Sequence, residues 1–161
     1  MGVAESLKRA EVFLGLDDSD LHKIAELPSC QEQACQAQEV IFKAGDKAKY
    51  LYVLGEGRVN LVMEVSAGSK QPPNQVIVDI ITTGGFFGWS ALVLPHSYVL
   101  SAICQEPSKV VRISGAELCS LFDTDNHIGY KIFQSLTRII GSRLRDVERL
   151  LATGRRWPFL P

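Results

Sequence analysis

Short runs of β-branched and aromatic residues, separated by glycines, fill the middle of the chain between residues 35 and 113. They recur about every ten residues, with turn-forming residues between them. A crossover between parallel strands needs a dozen or more residues, usually as a helix, and this spacing leaves no room for one. The pattern therefore predicts an all-β sandwich or roll rather than a sheet of alternating strands and helices.

The alternation of apolar and polar residues sets the expected direction of the side chains in these strands. Predicted strands cover residues 38–42, 50–54, 58–65, 76–81, 97–104 and 109–113. In the third strand apolar residues stand at every second position, so we expect one face to point into the core: Val59, Leu61, Met63 and Val65. The stretch 66–74 contains glycine, lysine and two prolines and is predicted to be an exposed hairpin loop.

Helical periodicity appears on both sides of the strand region. Before it, the acidic stretch 17–20 offers N-caps for the second of two helices, which Pro28 closes. A chain of 161 residues fits one domain of ordinary size. We therefore expect a single domain over residues 1–152, with N-terminal helices at 5–27, a β roll at 35–113, a short helix at 115–122 and a long helix at 126–152, followed by a tail at 153–161.

The long helix carries two neighbouring apolar stripes. The first follows the alternating three-and-four spacing of a helix that packs along another helix, and its positions are Phe133, Leu136, Ile140, Leu144, Val147 and Leu151. The second contains Ile128, Ile132 and Ile139. We expect the first stripe to form the interface of a homodimer while the other packs on the roll. The alternative is that both stripes pack on the roll.

Charge is close to balanced over the whole chain but not along it. With 17 basic and 18 acidic residues, the net charge of −1 gives no reason to expect a nucleic-acid or membrane-surface protein. Residues 126–161 have a net charge of +5 and the remainder −6, and a solvated helix face is the simplest interpretation. Because the sequence contains no run of 18 apolar residues and no signal peptide, we expect a cytoplasmic protein with no membrane partner.

The four cysteines form no CxxC pair and no zinc-binding spacing with histidine. Cys104 and Cys119 lie in apolar surroundings and are predicted to be core residues with reduced thiols. Cys30 and Cys35 flank a glutamine-rich stretch and are expected to be exposed. A redox or metal role for these two is an open alternative.

Five segments of the chain follow one another in a recognisable order. They are VFLGL at 12–16, VIFKAGD at 40–46, YLYVLGEGRV at 50–59, GGFFG at 84–88 and AL at 91–92. Together they resemble the cyclic nucleotide-binding domain of the catabolite-activator (cAMP receptor protein) family, and the resemblance covers about residues 7–150. It implies a mainly β fold with flanking helices, a double-stranded β-helix or jelly roll. It also implies a regulatory domain that senses a small molecule, rather than an enzyme.

The last two segments resemble the family's phosphate-binding cassette. In that family a glycine turn leads into a short helix whose N–H groups face the cyclic phosphate. A glutamate after the second glycine holds the ribose, and an arginine further on neutralises the phosphate. Here Trp89 stands at the glutamate position, and the arginine position falls on or near Tyr98. Between Lys70 and Lys109 the sequence has neither arginine nor lysine.

This change predicts that the pocket does not bind a cyclic nucleotide tightly in the usual way, because burying a phosphate without a cation costs several kcal/mol. Trp89 and Tyr98 bring two aromatic faces and two hydrogen-bond donors instead. Either they line a pocket for another small ligand, planar or apolar, or they fill the pocket and leave a ligand-free scaffold. The candidate ligand-binding residues are Phe87, Gly88, Trp89, Ser90, Ala91, Leu92, Tyr98, Val99 and Ser101.

The expected partners follow from the same resemblance. Too few residues follow the long helix for a helix-turn-helix, so we expect no direct DNA binding but signalling to a protein partner that the sequence does not identify. No cofactor is defined, and the candidate ligand is a cyclic nucleotide or another small molecule. One alternative is a haem or redox sensor using His96 or Cys30 and Cys35. A metal enzyme on a similar roll is not expected, because His22 and His127 lie on predicted helices outside it.

Overall fold

The strands form two antiparallel sheets of four strands each. A computed structural model describes residues 2–66, 68, 70, 72 and 74–154. The strands are β1 (Gln31–Cys35), β2 (Val40–Phe42), β3 (Tyr50–Glu56), β4 (Arg58–Val65), β5 (Asn74–Thr82), β6 (Phe86–Phe87), β7 (Ser101–Cys104) and β8 (Ser108–Ser114). One sheet has the order β1-β8-β3-β6 and the other β2-β7-β4-β5. The predicted mainly β jelly roll with flanking helices is confirmed.

Two edges of the roll differ from the prediction. The roll begins at Gln31 rather than at residue 35, because β1 is a polar edge strand whose first four residues are exposed and show no apolar run. Residues 97–100 were expected to begin a strand, but β7 starts only at Ser101. Before it, Ser97 forms an isolated antiparallel bridge with Lys47. This bridge holds the 97–100 segment against the turn that follows β2.

Strand β3 is buried on both faces, which explains its continuous apolar sequence. Leu51 and Val53 pack with the helices, whereas Tyr52 and Leu54 face the space between the two sheets. Strand β8 alternates in the same way, with Val111 toward the helices. These two paired strands therefore join the roll to its helical layer.

The end of β4 departs from the expected alternation, opposite a bulge at Val78 of β5. The register between β4 and β5 shifts between Leu61 and Val62. Val59 and Leu61 are in the core as predicted, but Val62 is buried next to them. Met63 and Val65, which were expected to face the core, are exposed together with Glu64, so both faces of β4 meet solvent at its end. The extra residue lies on the partner strand, and a strict period of two within β4 cannot reveal it.

The helices are α1 (Val3–Arg9), α2 (Asp18–Ala25), α3 (Gly115–Thr124) and α4 (Asn126–Thr153), and a 3₁₀ turn at Glu11–Phe13 follows α1. The N-terminal helices predicted at 5–27 thus occupy three shorter pieces. Helix α2 starts with a capping box, in which the Asp17 carboxylate accepts from the Asp20 N–H at 2.9 Å and the Asp20 carboxylate from the Asp17 N–H at 3.3 Å. The expected acidic cap is therefore present.

Asp125 links the start of α4 to α2. Its carboxylate accepts from the Ile128 N–H at 3.4 Å, which caps α4, and forms an ion pair with the Lys23 ammonium at 2.7 Å. The hydrogen bond and charge of Lys23 lower the pKa of Asp125. Further along α4, the Ser135 hydroxyl donates to the Leu14 carbonyl oxygen at 3.2 Å. The first half of α4 is thus attached to the N-terminal helices by polar contacts.

Helix α4 is buried in its first half and largely exposed in its second. Ile128 and Ile132 of the second predicted stripe are fully buried in the core shared with α3 and β3. Leu136 was predicted at a dimer interface, but it is only 2% exposed and belongs to this same core. It lies almost beneath Ile132 on the helix surface, where a spacing of four residues returns to the same face. The prediction for Leu136 is therefore wrong.

Parts of two predicted segments lie outside the described residues. They are residues 155–161 of the tail and residues 67, 69, 71 and 73 of the hairpin loop. Within the described ranges, we find no helix that is both long and apolar enough to cross a membrane.

The thiols predicted to be exposed are buried. Cys30 and Cys35 belong to the two apolar clusters of the core, as does Cys104, and Cys119 is half-buried. Burial raises the pKa of Cys30 to about 11 and that of Cys35 to about 12. Since the thiolate is the reactive form, these thiols are expected to be inert at neutral pH.

We expect Cys30, Cys35 and Cys104 to resist Ellman's reagent in the native protein at neutral pH, because they are both inaccessible and protonated. All four thiols should react once the protein is unfolded in guanidinium, which serves as the control. Half-buried Cys119 should be the first to react. Rapid native labelling of Cys35, located by peptide mass spectrometry, would contradict this prediction.

Candidate functional site

The cassette segment consists of β6, Gly88 and a single 3₁₀ turn at Trp89–Leu92. Gly88 has a φ of +75°, in the left-handed region that favours glycine. A Cβ atom at this position would lie 2.9 Å from the Tyr50 carbonyl oxygen and 3.1 Å from the Tyr52 ring. Both the backbone conformation and the close approach of β3 therefore require glycine here.

Tyr98 points into the roll directly behind Gly88. Its side chain is buried, with the residue 5% exposed, and its hydroxyl donates to the Tyr50 carbonyl oxygen at 2.8 Å. The same hydroxyl accepts from the Tyr50 N–H at 3.1 Å. Burial raises the pKa of Tyr98, so the phenol stays protonated and can donate at neutral pH. The hydroxyl is thus satisfied by the protein itself.

The Tyr98 ring is part of an aromatic cluster that fills the space behind the cassette. It stacks on Phe42 with centroids 3.6 Å apart and 12° between the planes. Tyr52 stacks on Phe87 at 5.1 Å, and Phe42 contacts both of them. The cavity that remains between Phe42, Gly88 and Tyr98 has a volume of only about 60 Å³. We call it the cassette cavity, and it is far below the roughly 300 Å³ at which small-molecule sites begin.

Trp89 borders a much larger space on the side of α4. This space, the α4 cavity, has a volume of about 520 Å³. It is lined from the roll by Leu61, Val78, Asp79, Trp89 and Leu100, and from α4 by Ile140, Arg143, Leu144, Asp146, Val147 and Leu150. Because Leu61, Trp89 and Leu100 also line the cassette cavity, they form the wall between the two.

An ion pair stands at one side of the α4 cavity. The Arg143 guanidinium lies 3.3 Å from the Asp79 carboxylate, so it joins α4 to β5. Arg143 also lies over the ring of Phe86 at 5.8 Å from its centroid. Both charged side chains are about one-third exposed, so the pair is partly screened by water.

The predicted ligand-binding residues divide into three groups. Gly88, Trp89, Ser90, Tyr98 and Val99 line the cassette cavity. Phe87, Ala91 and Leu92 are buried in the apolar core. The Ser101 hydroxyl accepts from the Ala44 N–H at 2.9 Å, so it closes the turn after β2. A ligand role should therefore be tested at the residues of the first group, beginning with Trp89.

Sequence reasoning missed that α4 and the roll share a cavity. Ile140, Leu144 and Val147 were predicted at a dimer interface, but they also line the α4 cavity. The sequence did contain one signal for it. The apolar stripe of α4 is two residues wide at these positions, so it can contact two surfaces. What could not be seen was which strand residues lie opposite, because Leu61, Val78 and Leu100 come from three separate strands or loops.

The haem and redox alternative finds little support. The ring of His96 is engaged through Nδ1, which lies 3.2 Å from the Ser90 carbonyl oxygen. Cys30 and Cys35 are buried in separate clusters. The described residues contain no group of three or more His, Cys, Asp or Glu side chains that could hold a metal ion.

Comparisons with known proteins identify the fold family. A family model described as the cyclic nucleotide-binding domain matches residues 32–125. A candidate cyclic nucleotide-binding protein from Geobacter metallireducens GS-15 is similar, with 30% identity over 89% of this chain and 99% of its own, and a TM-score of 0.72. A comparison with curated proteins finds no match.

Two further solved structures are similar in fold at lower identity. A cyclic nucleotide-binding domain from Methylobacillus flagellatus KT is 16% identical, with 94% of this chain and 86% of that one covered and a TM-score of 0.77. The catabolite activator protein of Thermus thermophilus is 19% identical, with 89% and 62% covered and a TM-score of 0.73. The predicted family resemblance is confirmed, and the chain belongs to the family of cyclic nucleotide-binding domains.

Proposed function

We propose that this protein is a small-molecule-sensing regulatory module whose conventional phosphate site is closed, and that it acts as a homodimer on a protein partner. The main support for this proposal is the position of Tyr98. Its ring and its doubly hydrogen-bonded hydroxyl occupy the space behind Gly88 and leave about 60 Å³. A ligand of ordinary size would have to break these contacts to enter.

Charge supports the same interpretation of the cassette. Among the residues that the structure describes, those lining the cassette cavity are all apolar, aromatic or uncharged. A cyclic phosphate there would meet neither the arginine nor the glutamate that the family uses. Micromolar binding requires about −8 kcal/mol in total, and the loss of a buried charge-assisted contact removes a large part of that. Cyclic nucleotides are therefore not the proposed ligand.

The α4 cavity is the proposed ligand site. Its volume of about 520 Å³ falls within the range of small-molecule pockets. Its lining is mainly apolar and includes one indole face, that of Trp89, which suits a planar or apolar ligand. Because the lining comes from both the roll and the second half of α4, a ligand here would favour one position of that helix. This is the proposed route from ligand to partner.

The exposed stripe of α4 is the proposed dimer interface. Leu144 is 56% exposed and Leu151 is 78% exposed, and Phe133 also reaches solvent. With Leu136 in the core, the three-and-four spacing passes through Thr137 and continues to Ile140, Leu144, Val147 and Leu151. A second copy of α4 along this stripe would cover side chains that water otherwise surrounds, among them Ile140, Leu144 and Val147, which also line the α4 cavity.

Cyclic nucleotides should not stabilise the protein. A site of micromolar affinity at a hundredfold ligand excess would add about 2.7 kcal/mol, which is several degrees in the melting temperature for a chain of this size. We expect cAMP and cGMP at millimolar concentration to give no measurable shift in differential scanning fluorimetry. The double variant Trp89→Glu/Tyr98→Arg, which removes the ring and restores both charged groups, should gain binding measurable by calorimetry. A clear shift with the unmodified protein would refute the closed cassette.

The α4 cavity should bind an apolar planar probe. In a Trp157→Phe background Trp89 is the one tryptophan left, so energy transfer to 1-N-phenylnaphthylamine reports binding beside it. We expect saturable transfer, weakened at least about tenfold by Val78→Arg, which places a long charged side chain in the space of an apolar ligand. The matched control is Gln75→Arg on the exposed end of the same strand. Equal binding by both variants, or none by the parent, would contradict a ligand site here and favour a ligand-free scaffold.

The protein should be a dimer in sedimentation velocity at micromolar concentration. Leu144→Asp/Leu151→Asp should weaken dimerisation by about 100-fold or more, since each buried leucine contributes about 1.5–3 kcal/mol. Ser142→Asp, on the opposite, exposed face of α4, is the control and should remain dimeric. A monomeric parent protein would refute the proposed interface.

A further inference from the structure

A second sizeable cavity lies on the other side of the 3₁₀ turn from the α4 cavity. Its volume is about 460 Å³, and it is bounded by the turn after β2, the cassette and the junction of β8 with α3. Its apolar lining consists of buried Ala48 and Ala91, with half-buried Cys119 and exposed Ala116 from α3. The lining contains none of the residues that line the α4 cavity, so the two spaces are distinct.

The charged side chains around this space, here called the basic cavity, are those of Lys47 and Lys49, and His96 lies beside them. No acidic residue of the described chain lines it. The surrounding body has the opposite balance, because residues 1–125 contain 10 basic and 16 acidic residues. Lys8, Lys23 and Lys109 each form an ion pair with a carboxylate. No ion pair within the described ranges involves Lys47 or Lys49.

The backbone holds these three residues in place. The Ala48 N–H donates to the His96 carbonyl oxygen at 2.8 Å, and the Gly115 N–H donates to the Lys49 carbonyl oxygen at 2.9 Å. The ring of His96 is fixed to the cassette by the contact between Nδ1 and Ser90 O. With Nδ1 so occupied, Nε2 remains for a ligand, as a donor when the ring is protonated. The backbone from which the two lysines project and the ring of His96 are therefore positioned by the fold before any ligand arrives.

The N-terminus of α3 contributes little to the positive charge. The Gly115 N–H is bonded to Lys49, and the Glu117 N–H is capped by the Ser114 hydroxyl at 3.3 Å. The Glu117 carboxylate is engaged by the Ser29 hydroxyl at 2.6 Å and does not line the cavity. The basic side chains, rather than the backbone of α3, supply the charge that an anion would meet.

We propose that the basic cavity is a binding site for a small organic anion. Its carboxylate or phosphate would lie against Lys47, Lys49 and His96, and its apolar body would cover Ala48, Ala91 and Ala116. An apolar cavity with a few convergent polar groups is the usual form of a small-molecule site. The unpaired lysines and the absence of a lining acid among the described residues select the sign of the charge. This site is independent of the closed cassette and of the α4 cavity.

The test is an NMR titration of the ¹⁵N-labelled protein with benzoate and with phenyl phosphate, which carry the two anionic groups on the same ring. We expect saturable shifts centred on Ala48, Ala91 and Ala116 with one or both anions, and none with benzyl alcohol, the neutral analogue. Lys47→Gln/Lys49→Gln should weaken binding about tenfold, the effect of two exposed charge contacts. Both lysines are exposed, so the variant should fold, which its own spectrum will show.

The control Lys43→Gln/Lys70→Gln removes the same charge outside the cavity and should change affinity less than about twofold. If both variants weakened anion binding equally, the effect would come from the overall charge of the protein, and the proposal would be overturned. Equal binding of benzyl alcohol, shifts centred on Leu61 and Val78, or no saturation with either anion would also overturn it. Shifts at Leu61 and Val78 would instead support the α4 cavity, so failure of one site is distinguishable from failure of the other.

Discussion

The Tyr98 hydroxyl bonds to both polar groups of one residue, donating to the carbonyl oxygen of Tyr50 and accepting from its N–H. A buried hydroxyl with both functions satisfied is stable in place, whereas displacing it would expose two backbone groups without partners. The stacking of Tyr98 on Phe42 adds to this. The cassette is therefore closed by contacts within the roll itself. Two larger spaces, the α4 cavity and the basic cavity, lie on either side of the 3₁₀ turn.

Helix α4 has two parts with different surroundings. Its first half is fixed by Ile128, Ile132 and Leu136 in the core and by the hydroxyl of Ser135. Its second half meets the roll mainly around the α4 cavity, where Arg143 pairs with Asp79. A partly exposed ion pair holds a helix weakly compared with buried leucines. This difference makes the second half the part of the domain whose position a ligand or a second copy could most readily change.

The sequence predicts the roll well because glycine turns and β-branched runs are local signals. The sequence is a poorer guide to burial where a shift of one residue decides whether a side chain is buried or exposed. The register of β4 with β5 shifts by one residue at Val78, and a helical step of one residue separates buried Leu136 from exposed Thr137. The cassette shows the same limit, because spacing placed Tyr98 near the pocket but not the direction of its ring. The burial of Cys35 depended on packing between two sheets, which no local pattern encodes.

Asp125 belongs at once to the cap of α4 and to an ion pair with α2. Because its pKa is lowered in the folded protein, its contribution is complete above the usual pKa of a carboxyl group and is lost as the pH falls through the lowered value. The apolar contacts between the two sheets have no such dependence on protons. Acid would therefore weaken the contact between α2 and the start of α4. The junction of α2 and α4 thus contains a polar link that depends on pH, beside an apolar core that does not.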